Sequence, residues 1–292
     1  MVAAVKHSDS TKGIVAMVVA ALLLTLNDAT SKYLTETLSV WQVIAMRQFF
    51  SLFVIFAYIH LVTGWGTLKV ANHRGMALRA AFFVSTTGFV VASFAALPLA
   101  FVTAIAFSSP IFVVAFSHWL GREQVGLRRW SAVVAGFLGV LVIVRPGGAG
   151  FDWVLLLPVA AALSAGMRDV VTRSLSRTDS SISILLWSNV AVILFASIAT
   201  IVGGWNEVSG SLLALLALNG LLNAGAHFLI IESLRLGEAS LFAPFRYSAL
   251  IWATILGLLI WGDVPDWWTI CGALLLVASG IYIIERTSVS QD

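Results

Sequence analysis

Two short stretches set an acid and a base at the end of a long apolar run: Asn27-Asp28-Ala29-Thr30-Ser31-Lys32 and Arg168-Asp169-Val170-Val171-Thr172-Arg173. A shift of 169 − 28 = 141 lays Asp28 on Asp169, Ser31 on Thr172, Lys32 on Arg173 and Leu34 on Leu175. A carboxylate at such depth in lipid is costly and belongs in a bundle interior or a wet cavity. Arg47, Ser108, Ser109, Asn189, His227, Glu232, Arg246 and Tyr247 sit in equally apolar surroundings. Arg246 is the sharpest of them. It follows Pro244, which removes a helix hydrogen bond, and precedes Tyr247 and Trp252. A guanidinium beside aromatic rings can clamp an anionic or flat polar ligand. The alternative is a permanent pair with Glu232 or Asp28 that only fixes helix packing. Asp28 is open in the same way, as a proton-loading group or, with Asn27, as a partner for helix backbone at a bend. Asp169, between Arg168 and Arg173, reads as a local ion-pair partner, and His227 as a cavity group or a core histidine.

No catalytic set accompanies these residues, and the reading is not an enzyme. Gly147-Gly148 runs into Ala149-Gly150 with no phosphate-binding lysine, and the five histidines lack metal-ligand spacing. No cofactor or metal is expected. The single cysteine, Cys271, reads as a small packing residue. A net charge of +3 without a basic stripe excludes a nucleic-acid partner.

The elements that must carry the polar residues are membrane helices. Hydrophobic residues make up 60% of the 292 and charged ones only 11%, less than half the share of about 25% in soluble domains. Ten spans are predicted, at 13–33, 41–63, 76–95, 99–120, 129–146, 153–175, 182–203, 211–234, 239–262 and 267–285. With a cytoplasmic N-terminus the inner loops hold Lys6, Lys12, Lys69, Arg74, Arg79, Arg122, Arg128, Arg129, Arg173, Arg177, Arg235 and Arg286, leaving Lys32 and Arg145 outside. Both termini are then cytoplasmic, with tails at 1–12 and 286–292. Most tryptophans fall near span ends; Trp187 and Trp252 lie deeper. Gly136, Gly139, Gly272 and Gly280 are read as sites of close helix approach, and Phe49, Phe50, Phe53 and Phe56 as packing or lipid contact. Five spans in each half make the second half insert upside down relative to the first.

On these residues the chain resembles the drug/metabolite transporter superfamily, specifically its EamA-type members. The resemblance is carried by Asn27-Asp28 with Lys32, Leu97-Pro98-Leu99, Ser109-Pro110 and Gly121-Arg122-Glu123. In the second half it rests on Glu238-Ala239-Ser240, Phe245-Arg246-Tyr247-Ser248 and Gly262-Asp263-Val264-Pro265-Asp266. It implies an all-α integral membrane protein of ten helices in two inverted five-helix repeats, 13–146 and 153–285, in the cell inner membrane. It also implies a secondary transporter for a small organic metabolite, working by alternating access. The arginine-plus-aromatic set favours riboflavin or a similar flat vitamin, with amino-acid or drug efflux as the second reading and a non-transporting membrane scaffold as one of another class. The expected binding residues are Asn27, Asp28, Arg47, Ser109, His227, Glu232, Arg246, Tyr247 and Trp252. Protons as coupling ion and a homodimer are left open.

Overall fold

A computed structural model describes residues 7–120, 127–145, 152–175, 178–235 and 243–289. Gly121-Arg122-Glu123, Pro146-Gly147-Gly148, Glu238-Ala239-Ser240 and the side chains of Arg173, Glu232 and Pro244 lie outside the described residues. Everything regular in the described residues is helical. The α-helices are α1 (His7–Leu34), α2 (Val40–Tyr58), α3 (His73–Ala96), α4 (Leu99–Ala106), α5 (Ser109–Trp119), α6 (Leu127–Val144), α7 (Leu157–Leu175), α8 (Ser181–Gly203), α9 (Gly210–Arg235), α10 (Ser248–Trp261) and α11 (Trp267–Val289). Seven segments are long and apolar enough to cross a membrane, and shorter apolar helices occupy Trp130–Val144, Phe245–Trp261 and Trp267–Tyr282.

Local chemistry sets the helix ends. Ser39 and Asn72 cap α2 and α3, accepting from Gln42 N–H at 3.3 Å and Gly75 N–H at 2.9 Å. After Tyr58 the second span continues through a π-helical turn, Ile59–Thr63, which Gly64 ends at a φ of 75°. The fourth expected span is not one helix: it breaks at Phe107–Ser108 into α4 and α5, with Pro110 in the first turn of α5. The ninth begins as a tight 3₁₀ turn, Ala243–Tyr247, before α10. The expected span start at 13 also moves, because α1 is already helical from His7.

Helices α1 and α9 pack together, as do α3 with α7, α2 with α8 and α9, α3 with α8, α6 with α11, α1 with α10, and α5 with α7. Buried Leu34, Val43, Ile44, Val192 and Leu216 join α1, α2, α8 and α9. Ile111, Val140, Ile143 and Leu276 join α5, α6 and α11. A Cβ at Gly139 would stand 3.0 Å from the Gly272 carbonyl oxygen, so α6 and α11 touch backbone to backbone as the glycines predict. Outward faces are apolar as well: Phe49 and Phe53 are exposed and meet edge-to-face at 5.2 Å. Such a surface is suited to lipid.

Arg79 is not a loop cation; it is buried in α3, where neutral oxygens from α7 and α8 receive its donors.

Candidate functional site

Two polar clusters tie the central helices. In the first, Asn219 of α9 donates from Nδ2 to the Asn27 carbonyl at 2.6 Å and to Ser31 Oγ at 3.1 Å. Arg47 of α2 donates to the same Ser31 hydroxyl at 3.4 Å. Asn27 Nδ2 donates to Asp28 Oδ1 at 3.0 Å, and the Asp28 carboxyl and Arg47 guanidinium act on each other as opposite charges. Asn27, Asp28 and Arg47 are therefore one constellation. Asn27 Oδ1 and Arg47 Nε are buried with no hydrogen-bond partner, which leaves one acceptor and one donor to spare.

The second cluster lies on α3, α7 and α8. Arg79 donates from Nε to Thr172 Oγ1 at 2.8 Å, and from Nη1 to the Ile184 carbonyl at 3.3 Å and to Ser188 Oγ. Arg168 pairs with Asp169 at 2.8 Å, so the acid has the local role its sequence neighbours suggest. Both guanidiniums lie over the Phe83 ring, at 5.5 and 5.7 Å from its centroid. The shift of 141 that lays Ser31 on Thr172 also lays Arg47 on Ser188 and Gln48 on Asn189. The clusters thus match at these positions, but one arginine comes from α2 and the other from α3. Between them Gln48 Nε2 donates to Asn189 Oδ1 at 2.8 Å, and Asn223 Nδ2 donates to Gln48 Oε1 and Ser51 Oγ at 3.2 Å each.

Beside these clusters are the two helix interruptions. Phe107, at the α4–α5 break, packs its ring 4.8 Å from Tyr247 in the 3₁₀ turn before α10. The Tyr247 hydroxyl lies against Gly280 of α11, where no Cβ intervenes. Arg246 is exposed and makes no hydrogen bond or ion pair with another described residue. His227 of α9 stands in the field of four guanidiniums: Arg168, Arg47, Arg246 and Arg79. Trp252 Nε1 is buried without a hydrogen-bond partner. Ser109 heads α5 close to Gly166 of α7; among the described residues no hydrogen bond joins its side chain to Asp28 or Arg246. Glu232 lies on α9, its side chain outside the described residues. Arg79, Gln48, Asn219, Asn223, Thr172 and Ser188 belong to this centre and were missed as site residues. The 141-residue shift, carried from Asp28 to Gln48, is the signal that could have found the last polar pair.

Away from the centre, the end of α1 is fastened. Lys32 Nζ donates to the Leu97 carbonyl at 2.8 Å, stands 3.6 Å from Asp263 and lies 5.0 Å from the Trp261 ring centroid. Trp261 Nε1 donates to Glu36 at 2.8 Å. Arg145 pairs with Asp266 at 2.6 Å. Burial pushes the Asp266 carboxyl up, but hydrogen bonds from Thr269 and the Arg145 charge outweigh it and hold the group below the usual carboxylate range. Among the described residues no group of three His, Cys, Asp or Glu could hold a metal ion.

The family model for the EamA-like transporter family matches residues 11–145 and again 152–285. An S-adenosylmethionine uptake transporter of Rickettsia felis is 29% identical over 272 residues, covering 91% of this chain and 90% of its own. A riboflavin transporter of Rhizobium johnstonii is 30% identical over 196 residues, covering 67% of this chain and 65% of its own. A solved crystal structure superimposes with a TM-score of 0.66 at 18% identity, covering 98% of this chain and 99% of that one, a likeness of fold alone.

Proposed function

Because the chain belongs to the EamA-like transporter family, and so is a multi-pass membrane protein rather than an enzyme, we propose that it is a secondary transporter of one small, ring-bearing organic metabolite. It spans the inner membrane ten times, as two inverted five-helix repeats over 13–146 and 153–285, with both termini cytoplasmic. Three observations support that architecture. The family model matches twice in succession. The helix pairs come in related sets: α1 with α9 answers α7 with α3, and α2 with α9 answers α8 with α3. Gln48 and Asn189, equivalent under the shift of 141, bond to each other, as residues on a pseudo-two-fold axis should. The lysine and arginine distribution favours the orientation.

The solute sits where the fourth and ninth spans are interrupted, between the repeats, and the halves rock about it. The single observation carrying this reading is the group at those two breaks. Arg246 is exposed with no partner among the described residues; it adjoins Tyr247, whose ring packs on Phe107, and its charge acts on His227. Riboflavin uptake is the first candidate, favoured by the ring-stacking group and by the Rhizobium relative's name. S-adenosylmethionine uptake is the second, favoured by the relative matched over 91% of the chain. Asp28, beside Arg47, is the group placed to load and release a proton.

The test is binding and flux with purified protein in liposomes. A solute at about 100 times its Kd stabilises the folded state by about 2.7 kcal/mol, which a melting scan reads. Arg246→Gln should leave the melting of the empty protein unchanged, since the side chain holds no described partner, and weaken solute binding about 10- to 100-fold. Equal solute affinity in the variant would remove Arg246 from the site. Absence of flux for every ring-bearing solute tried would refute the transporter reading.

A further inference from the structure

Among the described residues the charges around His227 do not balance. Four guanidiniums act on that imidazole: Arg47, Arg79, Arg168 and Arg246. The described carboxylates set against them are Asp28, facing Arg47, and Asp169, paired with Arg168. Four minus two leaves a surplus of two positive charges. Counting Glu232, on the same helix as His227, as a third carboxylate still leaves a surplus of one.

The surplus is not spread evenly. Arg79 is held by neutral oxygens, the Thr172 and Ser188 hydroxyls and the Ile184 carbonyl, so its donors are satisfied while its charge persists. Arg47 keeps its Nε without a hydrogen-bond partner. Arg246 is the exposed member and has no described partner at all. A guanidinium offers a planar fork of donors that suits a carboxylate or phosphate. The charges of Arg47 and Arg79 are buried and therefore costly, and a guest of opposite charge held at the exposed Arg246 relieves the surplus without Arg246 itself being a buried charge.

We propose that the solute is an anion, a ring system bearing a carboxylate or phosphate that Arg246 receives, and that the centre rejects cations. This rests on the transporter reading above, keeps its ring-bearing solute, and replaces the neutral first candidate by an anionic one. Of the two names the relatives supply, it sides against a sulfonium compound such as S-adenosylmethionine, which carries net positive charge. It prefers the phosphorylated form of a flavin to the neutral vitamin.

The first test needs no knowledge of the solute. In a Cys271→Ser background, Phe107→Cys places a thiol beside Tyr247 with all four arginines intact. With each rate divided by the same reagent's rate with a free thiol in solution, a sulfonate-bearing methanethiosulfonate should label it about 10-fold or more faster than a trimethylammonium one, and Arg246→Gln should shrink that ratio. Equal rates, a faster cationic reagent, or no labelling by either would overturn the proposal, the last because a solute needs access.

The second test compares matched pairs by melting shift and by flux in liposomes: riboflavin 5′-phosphate against riboflavin, and indole-3-acetate against indole-3-acetamide. The anion of at least one pair should bind about 10-fold tighter, and the pair that responds separates phosphate from carboxylate recognition. Flux of a neutral solute, or of S-adenosylmethionine, with no anion preferred overturns the charge argument and leaves the transporter standing. Anion binding with no flux does the reverse.

Discussion

Replacing Gly280 by alanine puts one methyl group against the Tyr247 ring, which is proposed to line the site. The new Cβ would overlap the Tyr247 hydroxyl and stand 3.0 Å from Cζ, while another neighbour of the ring, Phe107, is only 4.8 Å away between ring centroids. Tyr247 must leave its rotamer or the α10 end must move. Overpacking of this kind costs about 1–3 kcal/mol. If the solute needs the ring where it stands, that energy appears as a loss of affinity of about 5- to 150-fold, at 1.4 kcal/mol per decade. The control is Tyr247→Phe: without the hydroxyl oxygen the nearest atom is Cζ, and a few tenths of an ångström relieve the contact. The double variant should therefore bind better than Gly280→Ala alone, with a coupling of about 1–2 kcal/mol in a cycle read by melting and solute titration. Gly280→Ala with unchanged affinity and stability, or a double variant as impaired as the single, would refute the reasoning.

Gln48→Leu deprives Asn189 of its donor and Asn223 of an acceptor inside the bundle; it should cost about 2–3 kcal/mol in a denaturation assay, and adding Asn189→Leu should cost less than the sum of the two. Asp179, between α7 and α8, accepts from the Thr178 hydroxyl and from the Ala71 N–H at 2.6 Å, and these bonds hold its carboxyl below the ordinary value of 3.8. Its stabilisation is present above that value and is lost as the pH falls through the depressed native value. Acid melting curves of the wild type and Asp179→Asn should then be separated at neutral pH and converge in acid.

Charge made much of the centre legible in the sequence. Asp28, Arg47 and Arg246 are conspicuous because ionised groups are rare in apolar runs, and the structure brings Asp28 and Arg47 together. Arg79 was misplaced because it stands near the start of a span, where a cation ordinarily reports orientation rather than burial. Asn219, Thr172 and Ser188 carry no charge, and a small hydroxyl or amide in an apolar helix has no signature until its partner is known. The break of the fourth span was implicit in Ser109-Pro110. The fastening of Lys32 to Leu97 and Asp263 was not, because it depends on which loop reaches the end of α1.

The helix pairing bears on how such a chain is made. The first matched segment, 11–145, comprises α1 to α6, yet the main partners of α1, α2, α3 and α6 all lie in the second. Asn27 receives its donor from Asn219, 192 positions later in synthesis. The leading segment thus waits in the bilayer with Arg79 lacking its described partners, Thr172, Ile184 and Ser188, until the trailing segment arrives. Neither segment is a domain in the sense of a part that completes itself. Severed within 146–151, the two should be degraded when expressed singly and should recover folded protein when co-expressed. Stable accumulation of either alone would contradict this.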